Sequence, residues 1–208
     1  MATAAPQRNR VAAAERRRTI ERAAGRLFAE RGYAGTRLED IAAAAGVTKP
    51  VVYRHFDSKK GLYLALLERH RADLGGFLPA SAALEGAAGA EELMRAILDE
   101  WLDYVRENSH AWVMLFRDHS GDAEIQAFRL RVSERAREVF VSFISSQPGS
   151  PVPPEQVEPT AEQLRSALAG LALWWIDHPE VPKAVVQAVA ARTSAAALAI
   201  PAASPATA

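Results

Sequence analysis

Two groups of residues have the types and spacing to do chemistry. The first is Lys49, Val51, Tyr53, Arg54 and His55, a phenol, an imidazole and two cations within two helical turns. Side chains of this kind donate to phosphate oxygens and to base edges. The second is Asp118 and His119 with His110, which suggests a metal or acid–base site. Neighbouring residues on a helix point in different directions and no third ligand stands at a suitable local spacing, so a surface role is expected there. The sequence contains no P-loop, G-x-G-x-x-G, G-x-S-x-G or H-E-x-x-H. It also has no cysteine, which removes thiolate metal sites and Cys nucleophiles. Neither enzymatic activity nor a cofactor is expected.

The elements that position the first group can be read from periodicity and punctuation. Ile20, Ala23, Ala24, Leu27 and Phe28 make one apolar stripe on a first helix that runs to about Arg31 and stops at Gly32. Thr36 precedes Glu39 by three residues, the pattern of a capping box, and opens a short second helix that ends at Gly46. Thr48 is a second N-cap, with Pro50 in the first turn of a third helix of about eight residues. Asp57-Ser58 closes that helix and caps a fourth, which carries Leu62, Leu66 and His70. Two short capped helices joined at Gly46-Val47 are what a helix-turn-helix requires, one bracing and one entering a major groove. Ile41, Ala45, Val47, Val52 and Phe56 form the inward set, which leaves the first group outward.

Charge agrees with that geometry. From Met1 to Leu74 there are 15 Lys/Arg against 8 Asp/Glu, and the remainder carries 10 against 17, although the whole chain is formally neutral. A basic head on an acidic body offers only its head to a polyanion. No apolar run approaches the roughly 20 residues that a bilayer span needs, and Met1 to Arg10 is too polar for a signal peptide. A cytoplasmic protein without membrane contact is expected.

The stretch Thr36-Arg37-Leu38-Glu39-Asp40-Ile41-Ala42 up to Gly46-Val47-Thr48-Lys49-Pro50-Val51-Val52-Tyr53-Arg54-His55-Phe56, then Ser58-Lys59 and Leu62, resembles the TetR family of transcriptional regulators. The likeness covers roughly residues 15 to 65. It implies that Thr36 and Arg37 touch the backbone or a groove edge, that Thr48, Tyr53, His55 and Lys59 hold phosphates, and that Lys49, Pro50 and Val51 read bases, with Arg54 adding a contact. A packing role inside the head is the alternative for Tyr53 and His55.

The rest of the chain also reads as helix, for an all-α fold of about nine helices. The expected division is a disordered tail (1–11), a helix-turn-helix domain including a linking helix (12–74), a ligand-binding and dimerisation domain (75–200) and a second tail (201–208). A loosening of the chain is expected at Gly75-Gly76 and a proline-rich loop from Ser146 to Pro159. Leu164, Leu168, Leu171 and Trp175 share one face, continued by Val185 and Val189. The residues suit either an internal core or a dimer face, and the resemblance implies the dimer face. Met94, Leu98, Trp101, Tyr104, Trp112, Phe116, Phe128 and Trp174 are candidates for a pocket, with core packing the alternative for each. The expected partners are a double-stranded DNA operator, a second copy of the chain and a small-molecule effector. The function implied is a ligand-responsive repressor released by a small lipophilic or aromatic molecule. A constitutive dimeric DNA binder without a ligand is the alternative.

Overall fold

The computed structural model describes residues 4–74, 90–118, 120–146 and 151–198, and every regular element among them is helical. Helix α1 (Ala4–Gly35) starts inside the segment expected to be a disordered tail. Its first turns are rich in alanine and arginine, a composition that reads as low complexity but also forms helix well. The α conformation breaks at Gly32, with φ 70 and ψ 171, where only glycine enters the left-handed region without strain. Helices α2 (Leu38–Ala44) and α3 (Lys49–Tyr53) follow, joined through Gly46 at φ 65.

α3 is shorter than expected. Thr48 occupies its N-cap with extended dihedrals and Pro50 its first turn, yet no side-chain cap bond forms. The capping box before α2 is not built either, because Arg37 takes the cap position and Thr36 is only 1 % exposed. The Thr36 hydroxyl donates to the carbonyls of Leu27 and Gly32 at 3.1 and 2.8 Å, and so closes the end of α1. At α4 (Lys59–Leu74) the expected cap does form, Ser58 Oγ accepting from the Gly61 amide at 2.9 Å.

The body comprises α5 (Ala90–Glu107), α6 (Ser109–Phe116), α7 (Ala123–Ser146), a 3-10 turn (Pro154–Gln156), α8 (Val157–Asp177) and α9 (Lys183–Ala197). Asp122 caps α7 by accepting from the amides of Glu124 and Ile125. Pro159 lies in the first turn of α8 rather than in the loop, since a proline there removes no intrahelical bond. The expected loosening at Gly75-Gly76, the residue His119 and the second tail lie outside the described residues. Among the described residues no helix is long and apolar enough to cross a membrane.

One apolar cluster draws on residues on both sides of residue 74. Phe28, Leu62, Tyr63 and Leu67 of the head pack in one cluster with Met114, Leu115, Ile125 and Phe128 of the body. The joint is also polar. Asp118 accepts from the Tyr33 amide at 2.9 Å and the Tyr63 hydroxyl at 2.7 Å, so it is a bolt between head and body and not the surface residue expected. His110 is packed against Gly25 so closely that a Cβ there would fall 2.6 Å from its ring. His110 and Asp118 are thus engaged with different partners, and no shared acid–base site forms from them.

The stripe on α8 turns inward. Leu164 and Trp175 are buried, Leu168 and Leu171 are packed against the body's two apolar clusters, and the Trp175 indole donates to the Val181 carbonyl at 2.9 Å. On α8 and α9 the large apolar residues left exposed are Trp174, Val185 and Val189, by 45, 52 and 36 %. Trp174, expected in the pocket, therefore belongs to the open face and stacks on His178 at 4.2 Å between ring centroids. A leucine stripe marks a buried face without saying what buries it.

Candidate nucleic-acid interface and effector cavity

Ile41, Val52 and Phe56 are buried and Ala45 and Val47 packed beside them, which fixes α3 against α2 as the inward set requires. Thr48, Lys49, Pro50, Tyr53 and Arg54 are exposed along α3, and Arg37 is exposed at the start of α2. Val51 is half-buried against the head's core, so less of it than expected is available to a base. Lys49 is paired with the Glu39 carboxylate of α2 and lies 5.8 Å from the Tyr53 ring centroid. That contact raises the lysine pKa and lowers the glutamate's, each through the mutual hydrogen bond first.

Thr36 and Lys59 hold the protein together in a way the sequence reading did not foresee. The Thr36 hydroxyl is buried and engaged, which removes it from the set that can reach a phosphate. Lys59 Nζ donates to the carbonyls of Tyr33 and Thr36 at 2.8 and 3.0 Å and stands 4.2 Å from the Tyr33 ring centroid. An ammonium carries a third proton, so one donor remains after this clamp. The guanidinium of Arg17 lies 4.4 Å from the Phe56 ring centroid and donates to the His55 carbonyl at 3.3 Å. It braces the end of α3 from α1. The imidazole of His55 is held below its ordinary pKa by burial first and then by Arg17, Arg54 and Arg16.

Within the body lies a cavity of about 430 Å³, walled by α4 through Arg71 and by α5 to α9. Of the expected pocket residues Met94, Leu98, Trp101, Trp112 and Phe116 line it. Tyr104 instead meets His70 at the head–body joint, its hydroxyl 3.1 Å from Nδ1, and Phe128 belongs to the core that joins head and body. Leu164 and Leu168, expected at a dimer face, are cavity wall. The remaining wall comes chiefly from α7, with Val139, Phe140 and Phe143. The period of a sequence marks a helix face but does not say which faces converge.

A small basic head with one exposed short helix, fused through a common core to a helical body that carries an apolar cavity, defines the class of helix-turn-helix regulators with a helical C-terminal domain. Residues 20–66 match the family described as bacterial regulatory proteins, tetR family, and residues 90–196 match the tetracyclin repressor-like C-terminal domain. The chain belongs to the TetR family of DNA-binding transcriptional regulators. It is similar to the HTH-type transcriptional activator FasR of Mycolicibacterium smegmatis, 32% identical over 142 residues, which span 68% of this chain and 64% of that protein. Among solved structures it is similar to a tetR-family transcriptional regulator from Streptomyces coelicolor, with TM-score 0.67, 26% identity and coverage of 89% of this chain and 81% of that one. The fold is shared with FadR from Bacillus subtilis in complex with stearoyl-CoA, at TM-score 0.66 and 13% identity over 86% of this chain and 96% of the other.

Proposed function

We propose that the chain acts as a homodimer on a palindromic operator, and that a small lipophilic or aromatic molecule in the cavity releases it, so that it works as a repressor. The observation that carries this reading is that Arg71 of α4 forms part of the cavity wall. α4 follows α3 after a short turn and packs on α1, so a displacement at the cavity reaches the recognition helix through one rigid element. A ligand acts here only through a difference in affinity between the DNA-competent and incompetent arrangements. Two heads are needed because one reads few base pairs and binds weakly. The exposed Trp174, Val185 and Val189 supply apolar surface for that pairing. The stearoyl-CoA of the FadR structure, a protein of the same fold, carries a long apolar chain, which favours an effector with an apolar body here.

Selection of bound fragments from random duplexes tests the first half, with an inverted repeat as the expected outcome and no enriched palindrome as the result that overturns it. The name of the M. smegmatis relative, an activator, favours a second reading in which the same DNA contacts raise transcription. Run-off transcription from a promoter carrying the selected site separates the two by sign. The third possibility, a constitutive binder, is excluded by any compound that both occupies the cavity and releases DNA.

A further inference from the structure

We propose that the cavity selects an uncharged ligand, an apolar body with one hydrogen-bond acceptor for the Trp112 indole N–H and a second polar group for the Ser194 hydroxyl. The inference rests on the ligand-responsive reading above and narrows its chemistry.

Trp112 and Ser194 both line the cavity and are only 5 and 1 % exposed. Their Nε1 and Oγ atoms are buried and have no hydrogen-bond partner. The fold does satisfy its other buried indole, Trp175, with a backbone carbonyl, so an unpaired Trp112 is not a general feature of its packing. A buried donor left unpaired is costly, and native proteins leave few. An indole N–H only donates, whereas a hydroxyl donates and accepts, which sets the two complementary groups on the ligand. The indole is held in place, edge-on to Trp101 at 5.7 Å and stacked on Phe116 at 5.1 Å between centroids. Trp112 sits on α6, in the cluster of Leu102 and Ala172, and Ser194 on α9 between Ala190 and Leu198 of a different cluster.

Charge argues for neutrality. The arginines in the wall are Arg71, Arg135 and Arg165, and each is ion-paired with a glutamate one turn away, Glu68, Glu138 and Glu162 respectively. The Arg165 bond brings the Glu162 carboxyl down to about 2, so that pair stays ionised and mutually neutralised. A carboxylate or phosphate on the ligand would have to draw an arginine from its glutamate, most costly at Arg165, the least exposed of the three, and would leave water for a mainly apolar wall as well.

Calorimetric titration of the full chain with methyl dodecanoate against dodecanoate, methyl naphthoate against naphthoate, dodecanol and dodecane tests this at neutral pH. In at least one ester–acid pair the ester is expected to bind more than tenfold tighter than its acid. Trp112→Phe should weaken ester binding about threefold to tenfold more than it weakens dodecane binding, the difference being the range of one hydrogen bond. Ser194→Ala should weaken dodecanol similarly. In thermal unfolding of the ligand-free protein Ser194→Ala should show no loss of stability, because its hydroxyl has no partner to lose, whereas Trp112→Phe should lower it through lost packing against Trp101 and Phe116. Acids binding as tightly as their esters, or both variants binding ester and alcohol like the wild type, would overturn the proposal while leaving a ligand-responsive regulator standing. Binding of no probe of either charge, with operator affinity unmoved by all of them, would overturn that broader reading as well.

Discussion

Lys49, Lys59 and Arg17 each have a partner inside the head before any DNA arrives, and the partners decide what a substitution does. Lys59 clamps two backbone carbonyls at the end of α1, so Lys59→Ala should lower unfolding free energy by about 2 kcal/mol, typical for hydrogen bonds from a charged donor, as well as weaken binding to all duplexes. Tyr53 is exposed on α3, so Tyr53→Ala should weaken binding without moving the urea midpoint. The contrast between the two variants, read by chemical denaturation and by DNA titration, checks the assignment. His55 makes a different prediction. Its free-state pKa is lowered by burial and by three arginines, and an adjacent phosphate would raise it. Binding then takes up a proton, so affinity should rise as pH falls from about 8 to about 6, and His55→Gln should flatten that slope. A wild-type affinity that is level across this range would place the imidazole away from the backbone. The exposed residues of α3 were legible in the sequence because exposure follows helical period. The clamps of Thr36 and Lys59 were not, since a backbone carbonyl as partner leaves no mark on residue type.

At the scale of the element, the joint between α4 and α6 depends on two imidazoles. His70 and His110 meet edge to face at 5.3 Å between centroids, His70 is bonded to Tyr104, and Gly25 of α1 admits the His110 ring. The charged groups bearing on the pair are Arg69 and Arg26, both cationic. Burial first, then His110 and Arg69, bring the His70 pKa down to about 4, and His110 is lowered for the same leading reason. A histidine with a depressed folded-state pKa is neutral in the native protein and takes up its proton on unfolding. Its contribution is therefore fully present above the unfolded value near 6.5 and is lost as pH falls towards 4. Between those limits His70 alone should account for roughly 3 kcal/mol of lost stability, and His70→Phe should remove most of that slope in urea titrations at pH 7 and pH 5. A slope unchanged in the variant would refute the assignment. The helices themselves were legible from their 3.6-residue period, and the start of α4 from Ser58. What period could not supply was direction. Leu164 and Leu168, read as part of a dimer face, wall the cavity, and period could not tell, because an apolar stripe looks the same whether its cover comes from the same chain or from another copy.

For the whole molecule, the exposed strip of Trp174 on α8 with Val185 and Val189 on α9 is the surface on which pairing would rest. Replacing Trp174 and Val189 by glutamate should leave the fold intact, since neither residue is buried, and convert the particle to a single copy in sedimentation. Operator affinity should then fall by more than tenfold, while binding to arbitrary duplexes at low salt, which depends on one basic head, should persist. A variant that still sediments as the wild type would move the interface elsewhere. Composition divides the chain into a basic head and an acidic body. The packing of Phe28 and Tyr63 against Met114 and Phe128 has a consequence for how such regulators exchange parts. A chimera cut after residue 74 would strip the reading half of its own floor and expose that apolar surface to solvent. Functional grafts onto a foreign sensor should instead carry α6 and the first turns of α7 along with the head, so the natural seam for recombination lies deeper in the chain than the change in charge suggests.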